Sequence, residues 1–325
     1  MDLNAKFLQD PVKFAQKHAI APVGNLLSNP ANLKHKGNYD ATTSYYQVEG
    51  QNRVLYCSVT ASGVSNGDAG FNTSKDQNIY SLSIAQAQAT GSFPIYWLPW
   101  KANQIIRTTL TPSKKHHLPL LATAAFQEPH VFVTATVNGC SVFVEGSETE
   151  PTVYHANAGG TGGSIETPHG LIAKVSRMET VYKAFSHHAV KKTPGPTGRS
   201  LSAGRYMSEQ VGGVSRAQDD ARIAKQLGVN RNLAPITVIN EKGKSRVRHI
   251  GDFKTITFGT VFGVRDPRTG AWTFYVQHRV RATHWKKVLR FGRSSNPNTW
   301  QQFDTWTDLT VQEFWPRGSG TVIDL

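Results

Sequence analysis

The chain has 325 residues, and 36 Lys and Arg against 22 Asp and Glu give it a formal net charge of +14. A hydrophobic fraction of 38% with 10% aromatics excludes a disordered protein, and two cysteines exclude a disulfide framework. No apolar run nears the roughly 18 residues that span a bilayer, and MDLNAKFLQDPVKF lacks a signal-peptide core, so the chain is expected to be soluble and, if exported, to use a route without a cleaved signal.

The basic surface favours acidic partners: nucleic acid, anionic lipid or an acidic protein. No Cys-x-x-Cys or His-Glu-x-x-His is present, and the adjacent pairs His116-His117 and His187-His188 would point to opposite faces of a strand. Neither a metal nor a cofactor is therefore expected.

In chain order, Asp10–Ile20 is the first predicted helix, with Asp10 as cap and Pro11 in its first turn. The segment from Ala21 to Asp40 carries Pro22, Gly24, Pro30 and Gly37 and reads as irregular, so residues 1–40 form a helical or irregular lead-in. Tyr45–Glu49 and Arg53–Thr60 read as a hairpin. Ser62–Gln77 is a polar loop, and Ile79–Ala89 is a strand or a short helix. Pro94–Trp100, Gln104–Thr111 and Leu118–Phe126 are further strands. Val131–Val137 and Ser141–Val144 read as two strands joined through Asn138-Gly139, and Thr152–Ala156 resumes a strand after a polar turn.

Residues 187–213, with Pro194-Gly195-Pro196, read as a long exposed loop. Ser215–Leu227 is a helix with Ser215 as its cap and Gly228 as its stop. Two hairpins follow: Pro235–Asn240 with Ser245–Ile250, and Thr255–Arg265 with Ala271–Ala282 around Asp266-Pro267-Arg268-Thr269-Gly270. Strand signals on both sides of the 187–213 loop predict one α+β, β-rich domain over residues 1–325: mixed sheets or a sandwich, flanked by helices.

Cys140 and His155 carry the most informative chemistry. Pairing of their strands would bring a thiol and an imidazole together across 15 residues of sequence. The histidine could accept the thiol proton, and the thiolate could attack a carbonyl carbon. Backbone N–H groups near Gly139 could stabilise the oxyanion. Asn157 would share the face of His155. A cysteine in a strand also serves as a small core residue, and that reading stands beside the catalytic one. Cys57, in Leu-Tyr-Cys-Ser-Val, reads as core, while His130 is a lesser candidate base and His169 a solvated turn residue.

Val137-Asn138-Gly139-Cys140-Ser141-Val142-Phe143-Val144, followed by Val153-Tyr154-His155, resembles the catalytic region of the cytotoxic necrotizing factor family. Phe258-Gly259-Thr260, ahead of two long strands, is similar to a segment near that family's C-terminus. The resemblance covers residues 130–158 well and 255–282 loosely. It implies a deamidase-toxin-like fold and a bacterial toxin or effector, secreted or injected, that acts in the host cytoplasm. Its activity would be deamidation of a host protein's glutamine, often on a Rho-type small GTPase, or transglutamination as in the related dermonecrotic toxins. Cys140 would be the nucleophile and His155 the base, with Asn138 and Gly139 beside the oxyanion. Asn157, read from its strand face alone, could touch substrate, and it also reads as an ordinary turn-facing amide. A main-chain carbonyl within Tyr96–Thr111 would orient the histidine. The family has serine where this chain has Asn138, whose amide could donate to an oxyanion or simply suit an Asn-Gly turn.

Two other readings use the same residues differently. A cysteine peptidase would turn the thiolate on a backbone amide. A non-enzymatic module would use the basic stretch Arg279–Arg293, with Trp285 and Phe291 among its cations, to dock an acidic protein, an anionic membrane or nucleic acid. That stretch also reads as a solvated strand edge.

Overall fold

The computed structural model describes residues 2–23, 33–38, 44–49, 54–61, 72–73, 79–101, 104–111, 128–137, 140–157, 199–201, 213–239, 245–289, 298–316 and 323–324. It is β-rich with few helices. The strands are β1 (Ala19–Val23), β2 (Leu33–Asn38), β3 (Ser44–Val48), β4 (Val54–Ala61), β5 (Asn72–Thr73), β6 (Ile79–Ala85), β7 (Phe93–Leu98), β8 (Gln104–Thr109), β9 (Val131–Thr134), β10 (Ser141–Gly146), β11 (Pro151–Asn157), β12 (Arg199–Leu201), β13 (Ile236–Ile239), β14 (Ser245–Arg248), β15 (Lys254–Arg265), β16 (Trp272–Leu289), β17 (Asn298–Trp315) and β18 (Ile323–Asp324). Among the described residues they form one sheet in the order β1-β6-β4-β7-β9-β15-β16-β17-β5, a second in the order β18-β12-β10-β11-β8-β3-β2, and the separate pair β13-β14. Both large sheets are mixed: β1–β6, β7–β9 and β3–β8 run parallel, while β10–β11 and β15–β16 run antiparallel.

The two large sheets pack face to face. Tyr96 on β7 reaches across to donate its hydroxyl to the Thr111 carbonyl, just past β8, and one apolar cluster runs through strands of both sheets. On its other face the first sheet carries the N-terminal helices α1 (Leu3–Gln9) and α2 (Pro11–Lys17), where Phe7 stacks on Phe93. The layers are therefore helices, first sheet, second sheet.

The N-terminus follows its caps. Asp10 Oδ1 accepts from the Lys13 N–H at 2.9 Å, and Pro11 occupies the first turn of α2. The helix does not reach Ile20 as the sequence predicted. Ala19 and Ile20 instead begin β1, which pairs with β6 and donates the Ile20 N–H to Gln277 Oε1 at 2.9 Å. Pro22 is accommodated because β1 is an edge strand. β1 and β2 also replace part of the irregular stretch expected over 21–40.

Two predicted hairpins come apart. β3 and β4 exist near their expected positions, but β3 pairs with β2 and β8, while β4 pairs with β6 and β7 in the other sheet. Likewise β9 pairs with β7 and β15, and β10 lies in the second sheet beside β11 and β12. Val137, bridged to Gly259 of the first sheet, and Cys140, which leads into β10, thus belong to different sheets. Period-two patterning reveals which face a residue occupies, not which strand lies alongside.

The C-terminal predictions fare better. β13 pairs with β14, and β15 with β16. In the second hairpin Asp266 Oδ1 accepts from the Arg268 and Thr269 N–H groups at 2.7 and 3.0 Å, and Gly270 takes φ +74°. The helix α3 (Gly213–Gln226) ends at Gly228, φ +65°, as predicted, but begins two residues before Ser215, which is therefore not its cap. Within the loop expected over 187–213, Arg199–Leu201 forms β12 against β10. The remaining residues of that loop up to 212 lie outside the described residues, as do Leu118–Phe126 and the four histidines of the two adjacent pairs.

The basic stretch Arg279–Arg293 is not one exposed surface. Arg279 is buried, with Nη1 donating to the Ile20 carbonyl at 2.7 Å and to Thr260 Oγ1 at 2.6 Å. Arg281 lies half-buried over Phe258 and Trp285 lies beneath Arg248, while Lys286 and Lys287 are exposed. Residues 290–297, including Phe291 and Arg293, lie outside the described residues. Among the described residues no helix is long and apolar enough to cross a membrane.

Candidate functional site

β10 and β11 form the floor of the site. Their register sets Val142 opposite His155 and Ser141 opposite Ala156, so Cys140, one residue beyond the ladder, falls opposite Asn157. Alternation then puts Cys140, Val142, His155 and Asn157 on one face. The Asn157 side-chain amide donates to Cys140 Sγ at 3.3 Å. His155 is the diagonal neighbour of Cys140, at the roughly 7–8 Å Cα spacing of such pairs and within reach of an aromatic side chain.

This face looks into the sandwich. His155 Nδ1 lies 2.6 Å from Thr134 Oγ1, on β9 of the opposing sheet, and the same hydroxyl is 3.3 Å from the Ala135 carbonyl. His155 is 1% exposed and Cys140 3%, while Asn157 is half-buried. Burial alone pushes the His155 imidazole down to about 3, so the ring is neutral at physiological pH. Among the described residues its Nε2 has no hydrogen-bond partner. The neutral imidazole has one nitrogen anchored and the other open, and burial makes it a weak base in this state.

The opposite face of the same strands is also polar. Tyr154 donates its hydroxyl to Glu145 across β10 and β11, and Arg107 on β8 donates to Gln47 Oε1 at 2.9 Å while lying over the Tyr45 ring. Burial is the main cause that pushes the Tyr154 and Tyr45 hydroxyls up, which keeps them protonated as donors. The Tyr154–Glu145 bond ties together the two strands that carry Cys140 and His155.

The sequence candidates divide as follows. Cys140, His155 and Asn157 are brought together. Asn138 and Gly139 lie outside the described residues, as does His169. Cys57 is buried on β4, and burial pushes its thiol up to about 12, the behaviour of a core residue. His130 is exposed ahead of β9, and its carbonyl accepts from the Arg265 N–H. The carbonyl expected within Tyr96–Thr111 is replaced, among the described residues, by the Thr134 hydroxyl. Thr134 was missed because threonine is an ordinary strand residue. Its available signal was a hydroxyl inside the otherwise apolar run Val131-Phe132-Val133. Among the described residues no group of three His, Cys, Asp or Glu could hold a metal ion. Compared with known proteins, the chain matches no family model and no curated protein.

Proposed function

We propose that the chain is a cysteine-dependent hydrolase of carboxamide C–N bonds, of the cytotoxic necrotizing factor type, that deamidates or transglutaminates a glutamine of a host protein. In this reading it is a bacterial toxin or effector working in the host cytoplasm, and Rho-type GTPases are the first substrates to try. The observation that carries the reading is the shared face of Cys140, Asn157 and His155, with an amide already directed at the sulfur and an open imidazole nitrogen one diagonal step away. In the free protein Sγ and Nε2 are not hydrogen-bonded to each other. Such contacts commonly tighten only when substrate is bound.

The chemistry proceeds from these atoms. His155 Nε2 takes the thiol proton, and the Asn157 amide stabilises the thiolate by donating to it. The sulfur adds to the glutamine Cδ, and the carbonyl π electrons move onto oxygen. Collapse breaks the C–N bond, and the proton held at Nε2 passes to the nitrogen, which leaves as ammonia. Water adds to the thioester as Nε2 accepts its proton. Cleavage of the S–C bond then returns that proton to sulfur and leaves glutamate. An amine in place of water yields the transglutaminated product. Substrate would enter past Asn157, the one of the three that is not fully buried.

The test is incubation with Rho-type GTPases, with and without a primary amine, followed by peptide mass spectrometry. We expect amide-to-acid conversion, or an amine adduct, at one glutamine. Cys140→Ser should cut the rate by at least about 10³-fold, as loss of a nucleophile does. Full conversion by Cys140→Ser would sink the assignment. Backbone cleavage in place of conversion would turn it to a peptidase. Stable binding to an acidic partner with no turnover of any glutamine substrate would turn it to a basic docking module.

A further inference from the structure

We infer that Thr134 is a positioning residue, whose hydroxyl fixes the tautomer of His155 so that Nε2 carries the lone pair; the inference rests on the proposed reaction and adds a group to it. A hydroxyl has one proton and two acceptor lone pairs. Thr134 Oγ1 stands between the His155 ring at 2.6 Å and the Ala135 carbonyl at 3.3 Å. A carbonyl can only accept, so a hydroxyl proton given to Ala135 leaves Oγ1 as acceptor toward the ring. Nδ1 must then carry the imidazole proton, and Nε2 must be bare. In the reverse arrangement the hydroxyl donates to Nδ1, the proton sits on Nε2, and the ring cannot accept one from Cys140. The first arrangement satisfies three groups in series, while the second leaves the Ala135 carbonyl without this hydroxyl's proton.

Among the described residues the ring has no other hydrogen-bond anchor. Val142 and Ile106 are its cross-strand neighbours on β10 and β8, both apolar, and Thr134 approaches from β9. Cys140 is the titratable side chain that shares its face. No carboxylate is bonded to His155 among the described residues, so the ring's orientation depends on a neutral hydroxyl. When the ring gains the thiol proton, its Nδ1–H still donates to Oγ1, and no anchor has to move during the reaction. Thr134 is itself buried, and its strand is held on both sides, by the pairing of Thr134 with Leu98 on β7 and of Val133 with Phe262 on β15.

The experiment combines a direct reading of the tautomer with kinetics. Imidazole nitrogen NMR on the ¹⁵N-histidine-labelled free protein should show Nδ1–H for His155. Thr134→Val removes the hydroxyl at nearly constant volume. It should abolish the single tautomer and lower kcat/KM about 10–100-fold, the cost of losing an outer partner that orients a catalytic histidine. KM should change little, and the acidic limb of the pH–rate profile should shift. Thr134→Ser, which keeps the hydroxyl, should restore both the tautomer and most of the rate, and it serves as the folded control. A wild-type His155 protonated on Nε2 would overturn the inference, as would a folded Thr134→Val protein with unchanged tautomer or unchanged rate. If wild type shows Nδ1–H, and Thr134→Val loses it, but no glutamine substrate is turned over, the proposed reaction falls and the anchoring of the ring stands.

Discussion

His155 shows how a single buried ring can couple the site to stability. Its ordinary value of 6.5 is pushed down to about 3 by burial, so between those limits the unfolded chain binds a proton that the folded one refuses. Stability therefore falls as pH drops below about 6.5 and keeps falling until about 3, where the folded ring takes its own proton. At pH 4.5 the loss is on the order of 2–3 kcal/mol. Urea unfolding at pH 7.5 and 4.5, in wild type and in His155→Leu, measures it: the variant should lose less stability between the two pH values by about that amount. His18, also pushed down by burial first and by neighbouring lysines second, titrates in both proteins and cancels. An equal acid loss in both would mean that the ring is hydrated or charged in the folded state. In the proposed reaction the same burial leaves Nε2 a weak base, so the ring would hold a proton only while the thiolate stands beside it as its counter-charge.

At the level of elements, the site depends on how closely β9, β15 and β16 lie together. Gly263 on β15 pairs with Phe132 and with Phe274, and a Cβ there would come within 2.9 Å of the Phe274 ring and 3.3 Å of Phe132 Cβ. Phe132 lies two residues before Thr134 on the same face of β9. Gly263→Ala should cost about 1–3 kcal/mol through overpacking and should also lower kcat/KM by moving Thr134. Gly270→Ala, strained at φ +74° in the distant hairpin turn, should destabilise without touching the kinetics. Equal kinetic losses in the two variants would dissociate β9 from the site. The elements explain what the sequence could disclose. Cys140, His155 and Asn157 were legible because a short turn joins β10 to β11, and local pairing follows from local pattern. Asp10, Gly228 and Asp266 were legible because caps and turns are satisfied by neighbours in sequence. Thr134 was not, because its partner lies 21 residues away in another sheet. That Val137 and Cys140 belong to different sheets was hidden by Asn-Gly, which reads as a hairpin turn whichever sheet receives the next strand.

Across the whole molecule, the N-terminal segment is held to the first sheet by side chains that patterning assigns to the solvent. Gln277 alternates with apolar residues along β16 and reads as outward-facing, yet it is fully buried. Its Oε1 accepts from the Ile20 N–H at 2.9 Å, and its Nε2 donates to the Ala15 and His18 carbonyls at 2.7 and 2.8 Å. Thr260 and Arg279 both donate to the Ile20 carbonyl, and burial lowers Arg279 only to about 9, so it remains a cation at neutral pH. The face is polar because it binds the exposed backbone where α2 ends and β1 begins, not because it meets water. Gln277→Leu keeps the volume and removes these three bonds together with the one that Oε1 accepts from Arg279 Nη1 at 3.3 Å, which leaves backbone groups of Ala15, His18 and Ile20 without this partner in a buried place. Each such loss costs about 1–3 kcal/mol, and the variant should be destabilised by at least about 3 kcal/mol in urea. The helices and the site lie on opposite faces of the first sheet. Limited proteolysis of the folded variant should therefore cut first within residues 2–23, while kcat/KM at low temperature stays near wild type. First cleavage elsewhere, or a rate loss as large as that of Thr134→Val, would mean that the N-terminal layer and the site form one cooperative unit.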